Sequence, residues 1–211
     1  MFYNFTEDTD DHLRQMLEQD LNYGKFSIMI RKEEDKRAVK EVLLQYYLQI
    51  KNIFLHIAST SQYPCISSSD YMAFCKRSKI IDNEVISAAT LERTLSQTNF
   101  SKNPHKNSAD RELHRYEFVE IVTRLGEQKY KATKVCENLQ DSLKKILEDH
   151  ILPFNDKHMV DGYNFRLEHM YNLKVDEIFK KNEIVLKAFF EKFLTPNKKY
   201  INLEEITSIL K

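Results

Sequence analysis

Apolar residues along the chain recur mostly at spacings of three and four, the period that puts them on one side of an α-helix. Between about 7 and 22, Leu13, Met16, Leu17 and Leu21 share such a face, and the segment runs out at Asn22-Tyr23-Gly24. From about 33 to 61 the stripe is the longest in the sequence: Val39, Leu43, Tyr46, Tyr47, Ile50, Ile53, Phe54 and Ile57. Glu33, Glu34 and Asp35 open it, at the end where a helix dipole favours acid. After the break at Tyr63-Pro64-Cys65, Ser67-Ser68-Ser69-Asp70 supplies N-cap candidates for a short helix carrying Tyr71, Phe74 and Cys75. Ile86 to Leu91 reads as a short extended position followed by a capped helix through Leu95. The segment 98–110 is polar, contains Asn103-Pro104 and Asn107-Ser108, and is expected to be a long loop.

Further helices are predicted over 113–130, with Phe118, Ile121, Val122 and Leu125 on one face, and over about 133–150, with Val135, Leu139, Leu143, Ile146 and Leu147. Pro153 is expected to stop the second of these before a turn at Asp161-Gly162, and helices follow at about 174–194 and 202–210. Strand alternation does not repeat anywhere, so an all-α chain is expected. Seams at 61–66 and 153–162 divide it into an N-terminal two-helix extension (1–62), a central piece (63–152) and a C-terminal helical segment (153–211).

Composition narrows the function more than the fold. Hydrophobic residues are 42% and charged residues 30% of the chain, a globular mixture. Lys plus Arg equals Asp plus Glu at 32 each, so no net field holds the protein to nucleic acid or anionic lipid, and neither is expected as a partner. Apolar runs such as Val42-Leu43-Leu44 and Ile53-Phe54-Leu55 end long before the roughly 20 residues of a membrane span. The opening Met1-Phe2-Tyr3-Asn4-Phe5 leads directly into Glu7, Asp8, Asp10 and Asp11, unlike a secretory or transit peptide, and a cytosolic location is expected. Cys65, Cys75 and Cys136 are an odd number without C-x-x-C spacing, and read as reduced thiols.

Only Gly24, Gly126 and Gly162 occur, too few to build a phosphate-cradling or dinucleotide-binding turn, and no Gly-x-Ser-x-Gly elbow is present. His105, His114, His150, His158 and His169 form no His-x-x-x-His pair, and the adjacent acids Glu33-Glu34 and Glu204-Glu205 diverge on a helix. No catalytic, cofactor-binding or metal-binding residue set is expected, and the protein reads as a non-enzyme. The basic stretches Lys76-Arg77-Ser78-Lys79 and Lys129-Tyr130-Lys131 are solvated faces or patches for an acidic protein surface.

Two places repeat one pattern: an apolar helix, a polar loop, an aliphatic residue, and Glu four positions later. They are Leu113 to Glu117 and Ile201 to Glu205. In an EF-hand, loop position eight is the aliphatic residue that pairs with the twin hand, and position twelve is the Glu that grips calcium with both oxygens. Counting back from Glu117 puts Lys106, Ser108 and Asp110 at positions one, three and five, with Arg111 at the glycine position. Counting back from Glu205 puts Leu194, Pro196, Lys198 and Lys199 at the same places. Lysine there brings positive charge where oxygen donors are needed, which argues against ordinary calcium binding. A third register ending at Glu168 fails, with Lys157, Met159 and Asn164 at key positions. Paired, degenerate EF-hand-like helix-loop-helix units are therefore expected.

The stretch Phe74-Cys75-Lys76-Arg77-Ser78-Lys79-Ile80-Ile81-Asp82 with Ile86-Ser87, together with Tyr116-Glu117-Phe118 and Arg124-Leu125-Gly126-Glu127-Gln128-Lys129-Tyr130, resembles the tubulin polymerisation-promoting protein family. The likeness covers about 67–131 and is interrupted by an insertion over 99–110. The C-terminal half, with Phe165-Arg166-Leu167-Glu168 and Val175-Asp176-Glu177-Ile178-Phe179-Lys180-Lys181, resembles EF-hand-type proteins of ciliary axonemes. These resemblances imply a structural protein of the microtubule cytoskeleton, placed in a ciliary doublet, with tubulin and neighbouring axonemal proteins as partners. Aromatic anchors such as Tyr46, Tyr47, Phe189 and Phe190 are expected to carry the contacts. The competing expectation is a calmodulin-like sensor whose helix pairs clasp a target helix.

Overall fold

A computed structural model describes residues 8–61, 64–100, 112–159 and 165–194, with Ile201, Ile206 and Ile209. The chain is all-α, and the strands among the described residues are two of two residues each. It divides into two compact units, Met1–Met159 and Val160–Lys211.

In the first unit, α1 (Asp10–Tyr23) is N-capped by Thr9, and a single turn, α2 (Phe26–Met29), leads into α3 (Glu33–Ser59). Then come β1 (Ile66–Ser67), α4 (Ser68–Arg77), α5 (Ala88–Asn99), β2 (Glu112–Leu113) and α6 (Arg115–Gly126). A π turn over Glu127–Lys131 extends α6, and α7 (Leu139–Ile146), a second π turn (Leu147–Ile151) and α8 (Leu152–His158) complete the unit. Hydroxyl and amide caps set the helix starts: Ser67 accepts from Asp70 N–H, Ser87 from Thr90 N–H and Asn138 from Asp141 N–H. Each satisfies a donor that the first turn leaves without an intrahelical partner.

The stripe read from the sequence of α3 is buried along its whole length, from Val39 to Ile57. It meets α1 on one side and α6, α7 and α8 on another, so one hydrophobic cluster runs from Leu13 to Phe154. The seam expected at 61–66 consequently lies inside a single unit, because α3 supplies core surface to helices far along the chain. Buried side chains such as Leu43, Ile50, Ile53 and Phe118 contribute about 1.5–3 kcal/mol each, which makes this shared core the main source of cohesion.

Two boundaries depart from expectation for identifiable reasons. The helix predicted over 133–150 starts later, at Leu139, because Val135 and Cys136 both donate to Tyr130 O (2.8 and 3.0 Å) and Lys134 takes φ 60°. Val135 is therefore an exposed turn residue. Pro153 does not stop the chain's helical course. The second π turn, closed by Leu152 N–H donating to Leu147 O, resets the register so that Pro153 falls in the first turn of α8. A proline there lacks only a donor that would be unsatisfied anyway.

The second unit holds a π turn (Arg166–Met170), α9 (Leu173–Lys181) and α10 (Glu183–Phe193). The single helix predicted over 174–194 is thus two, parted at Asn182, whose side-chain amide donates to Ile178 O at 2.8 Å. The Asp161-Gly162 turn, most of the 98–110 loop and most of the predicted helix at 202–210 lie outside the described residues.

Gly126 marks the closest approach of α6 to α7. A Cβ there would stand 3.0 Å from Ser142 O and 3.0 Å from the Ile146 methyl. Helix propensity alone favours Ala over Gly by about 1 kcal/mol, but the main-chain oxygen cannot yield without moving α7. Gly126→Ala is expected to destabilise the protein by about 1–3 kcal/mol in urea unfolding. A variant as stable as the parent would show that α7 is not seated this closely.

Candidate functional site

Ile66 and Leu113, both buried, face one another in the antiparallel bridge, with Ser67 opposite Glu112. This joins the α3–loop–α4 and α5–loop–α6 units through the aliphatic position that the sequence singled out at Leu113. Its twin, Ile66, escaped notice. Four residues beyond Ile66 stands Asp70, where the pattern had called for Glu, and Pro64 stands where glycine was sought.

In the twelve-position frame that ends at Asp70, Ser61 is third and Ser67 ninth. The three close on one another directly. Ser61 Oγ donates to Asp70 Oδ2 at 2.6 Å and Ser67 Oγ to the same oxygen at 2.5 Å, while Ser67 N–H donates to Ser61 Oγ at 2.9 Å. The groups that would face an ion in a metal-binding loop are spent on latching the loop shut.

In the α5–loop–α6 pair, Glu117 turns back on its own helix. Its Oε2 accepts His114 N–H at 2.8 Å and lies 3.2 Å from His114 Nδ1. Burial pushes the Glu117 carboxyl above its ordinary range, against the opposing pull of the His114 contacts. Lys106, Ser108, Asp110 and Arg111 lie outside the described residues, as do Pro196, Lys198, Lys199 and Glu205. Among the described residues, no three His, Cys, Asp or Glu side chains stand close enough to share a metal ion.

The two halves of the 67–131 motif, far apart in sequence, meet in space. Lys129 Nζ donates to Ile80 O at 3.0 Å and to the Asp82 carboxylate. The other Asp82 oxygen accepts the N–H groups of Glu84, Val85 and Ile86 at 3.1, 2.9 and 2.9 Å. Burial raises the Asp82 carboxyl, but the Lys129 bond and these amides outweigh it and hold the group well below its usual range. Lys79 and Asn83 take φ near +60° on either side of the Ile80-Ile81-Asp82 element. The Lys129 side chain is only 10% exposed, so the Lys129-Tyr130-Lys131 stretch is not simply a solvated basic face.

Tyr130 Oη lies 2.9 Å from Asp149 Oδ2 and 3.1 Å from His150 Nε2, and His150 Nδ1 lies 2.9 Å from Ser78 O. His158 contacts Arg77 (3.4 Å) and His169 lies 3.7 Å from Glu168. Burial raises the thiol of Cys75 and the hydroxyls of Tyr47, Tyr71 and Tyr130, and it pushes Cys65 up to about 11. All five stay protonated at neutral pH, and none is an activated nucleophile.

The space between the two helix-loop-helix units is filled from within. Phe54 of α3, Phe118 of α6 and Phe74 of α4 follow in contact at 5.9 and 5.5 Å, and Phe154 of α8 meets Phe74 edge-on at 5.1 Å. Leu143, Ile146, Leu147 and Ile151 of α7 and the second π turn are fully buried beside them. Tyr46 and Tyr47 are likewise internal: their hydroxyls donate to Glu148 and Asp20. The expectation that these two tyrosines anchor a partner is overturned, since both anchor the chain to itself. Phe189 and Phe190 remain about half exposed in the second unit, where Ile184 is 84% exposed.

No family model, curated protein or solved structure matches the chain.

Removing the latch by Ser67→Ala is expected to cost about 0.5–2 kcal/mol, the worth of an N-cap, with the same loss in calcium and in chelator. A loss that calcium restores would show that the loop closes on metal instead. Because Glu117 has a raised folded pKa, its ionisation costs stability, a cost absent below the unfolded value and fully felt once pH exceeds the folded one. Thermal melts of Glu117→Gln should therefore gain on the parent as pH rises from 4 to 7. A Gln variant that loses ground over that range would show that the charge is needed.

Proposed function

We propose that this protein is a non-catalytic, metal-independent structural component of the microtubule cytoskeleton, placed in a ciliary axoneme and bound to tubulin and neighbouring proteins. The observation that carries the structural half of this reading is the self-filled pair: the loop before α4 latched by its own side chains, Glu117 spent on capping α6, and a central groove occupied by α7 and α8. A calcium sensor must open to expose an apolar groove to its target. Here the groove's apolar surface already belongs to the chain's own core, which favours a rigid block over a clasp.

The cytoskeletal half rests on the resemblance of 67–131 to the tubulin polymerisation-promoting proteins and of the C-terminal half to axonemal EF-hand-type proteins. The meeting of Ile80-Ile81-Asp82 with Lys129-Tyr130 supports treating those residues as one structural motif instead of two coincidental matches. Apolar residues on α9 and α10, including Ile178, Phe179, Ile184 and Phe189, are exposed and are the reading's choice of partner-binding surface.

A fluorescently tagged full-length chain expressed in a ciliated cell is expected along axonemes and to resist detergent extraction with the doublets. A diffuse, fully extractable signal would end the cytoskeletal reading. Independently, calcium calorimetry on the purified chain is expected to show no binding below millimolar calcium. Tight binding with a change in helix packing would restore the sensor.

A further inference from the structure

Helix α7, the second π turn and α8 form a strap laid across α3. The strap ends at Lys157 and His158, beside the last turn of α4, where the linker between α4 and α5 begins, and near the last turn of α3. Three helices thus finish on bases at one place: His56 of α3, Arg77 of α4, and Lys157 with His158 of α8. Arg77 Nη2 lies 3.4 Å from His158 Nδ1, and its guanidinium lies 5.3 Å from the centre of the Phe154 ring. That ring in turn packs 4.6 Å from the His158 imidazole. Arg77, read in the sequence as one of a basic run, is therefore joined to bases from other parts of the chain.

A helix dipole favours a base at its own C-terminal end, which accounts for each of the four separately. It gives no reason for bases of different helices to be held together without an acid between them. Elsewhere in the same unit, bases that cross to another element meet a carboxylate: Lys40 meets Glu18, Arg115 meets Asp20 and Lys129 meets Asp82. Here, among the described residues, no carboxylate stands within ion-pair distance of the four bases. Asp156, next to Lys157 in the chain, accepts from Asn155 Nδ2 at 3.3 Å. Loss of solvent, and then the charges of Arg77, Lys157 and His56, all push His158 below its ordinary value.

We propose that this cluster is a docking site for an acidic protein segment, with one carboxylate of the partner taken up between Arg77 and His158 and a neighbouring one by Lys157.

The donors are already disposed for that use. Arginine can only donate, so His158 Nδ1 accepts and the hydrogen of the neutral ring is on Nε2. A guanidinium has five N–H donors in a fork that matches a carboxylate, and a single imidazole nitrogen leaves most of them unused. Phe154, only 3% exposed, backs both groups, so little side-chain freedom remains to be lost on binding. Carboxylates suit the site better than the phosphates of a nucleic acid or a lipid surface. All three helices present their C-terminal ends, which offer no free backbone N–H groups to a phosphate. The chain carries no net charge and the aromatic ring of the cluster is buried, so a nucleic-acid strand finds neither a long-range field nor a stacking surface. The inference does not rest on the cytoskeletal reading.

Fluorescence anisotropy of a labelled oligoglutamate peptide titrated with the full-length chain tests this. Binding is expected at low salt, weakened several-fold by Arg77→Gln and likewise by Lys157→Gln. Lys40→Gln, which removes the same charge from another part of the surface, is expected to leave it unchanged. Should Arg77→Gln fail to fold through losing its packing on Phe154, the exposed Lys157 decides alone. The proposal is overturned if the parent does not bind the peptide, or if Lys40→Gln loses as much as Lys157→Gln. Tighter binding of an oligothymidylate, or of phosphatidylserine vesicles, at matched charge also overturns it.

Discussion

The two-residue bridge between Ile66 and Leu113 is too small to hold anything by its own hydrogen bonds, yet it fixes how four helices meet. A ladder this short contributes at most a few bonds, each worth roughly 0.5–1.5 kcal/mol net, and an isolated strand pair is not stable in water. What makes it persist is that both bridging side chains are completely buried and that polar side chains fasten the helix starts beside them. Ser61, Ser67 and Asp70 tie the end of α3 to the start of α4, and Glu117 with His114 caps α6. A loop that relied on an ion would set the interhelical geometry according to ion supply. These closures come with the chain, so the geometry does as well.

The surrounding helices then complete that geometry. Helix α1 is fastened by Asp20, 3% exposed, whose carboxylate receives the Arg115 guanidinium at 2.8 and 3.0 Å and the Tyr47 hydroxyl. One acid thereby ties α1, α3 and the start of α6 together. Burying such a pair carries a desolvation cost that often cancels its attraction, so its value lies in allowing only one seating of α1. Helices α7 and α8 fill the opposite side, and Gly126 lets α7 come close enough to bury Ile146 and Leu147.

Much of this was legible because helical period is a local property. The α3 stripe from Val39 to Ile57 is buried as read, and Ser67 caps α4 as its position before the apolar residues implied. Leu113 lay in plain view as a pairing residue. Ile66 did not, since the EF-hand pattern has Glu at the twelfth position and the chain supplies Asp70. The Pro153 stop failed for a different reason. A proline's penalty depends on its place in the hydrogen-bond register, and the π turn that shifts the register has no sequence signature of its own. The Lys129 pairing with Asp82 depends on α6 running back across the linker, which no spacing rule encodes. In the second unit the apolar residues of α9 and α10 have helical spacing and no described burial, so period alone did not distinguish a core face from an exposed one.

The polar contacts of the first unit are distributed in a way that separates rigidity from responsiveness. Around Asp20 and around Asp70 the contacts are saturated by partners that do not titrate near neutrality: a guanidinium, a phenol and two serine hydroxyls. Around the strap they include a histidine, and its ring is joined to the linker by a single carbonyl contact. Apolar burial holds both regions, but only the second has a group whose charge can change in the ordinary range of pH. The contacts that fix α1 and the start of α4 therefore involve no histidine, whereas those of the strap include one.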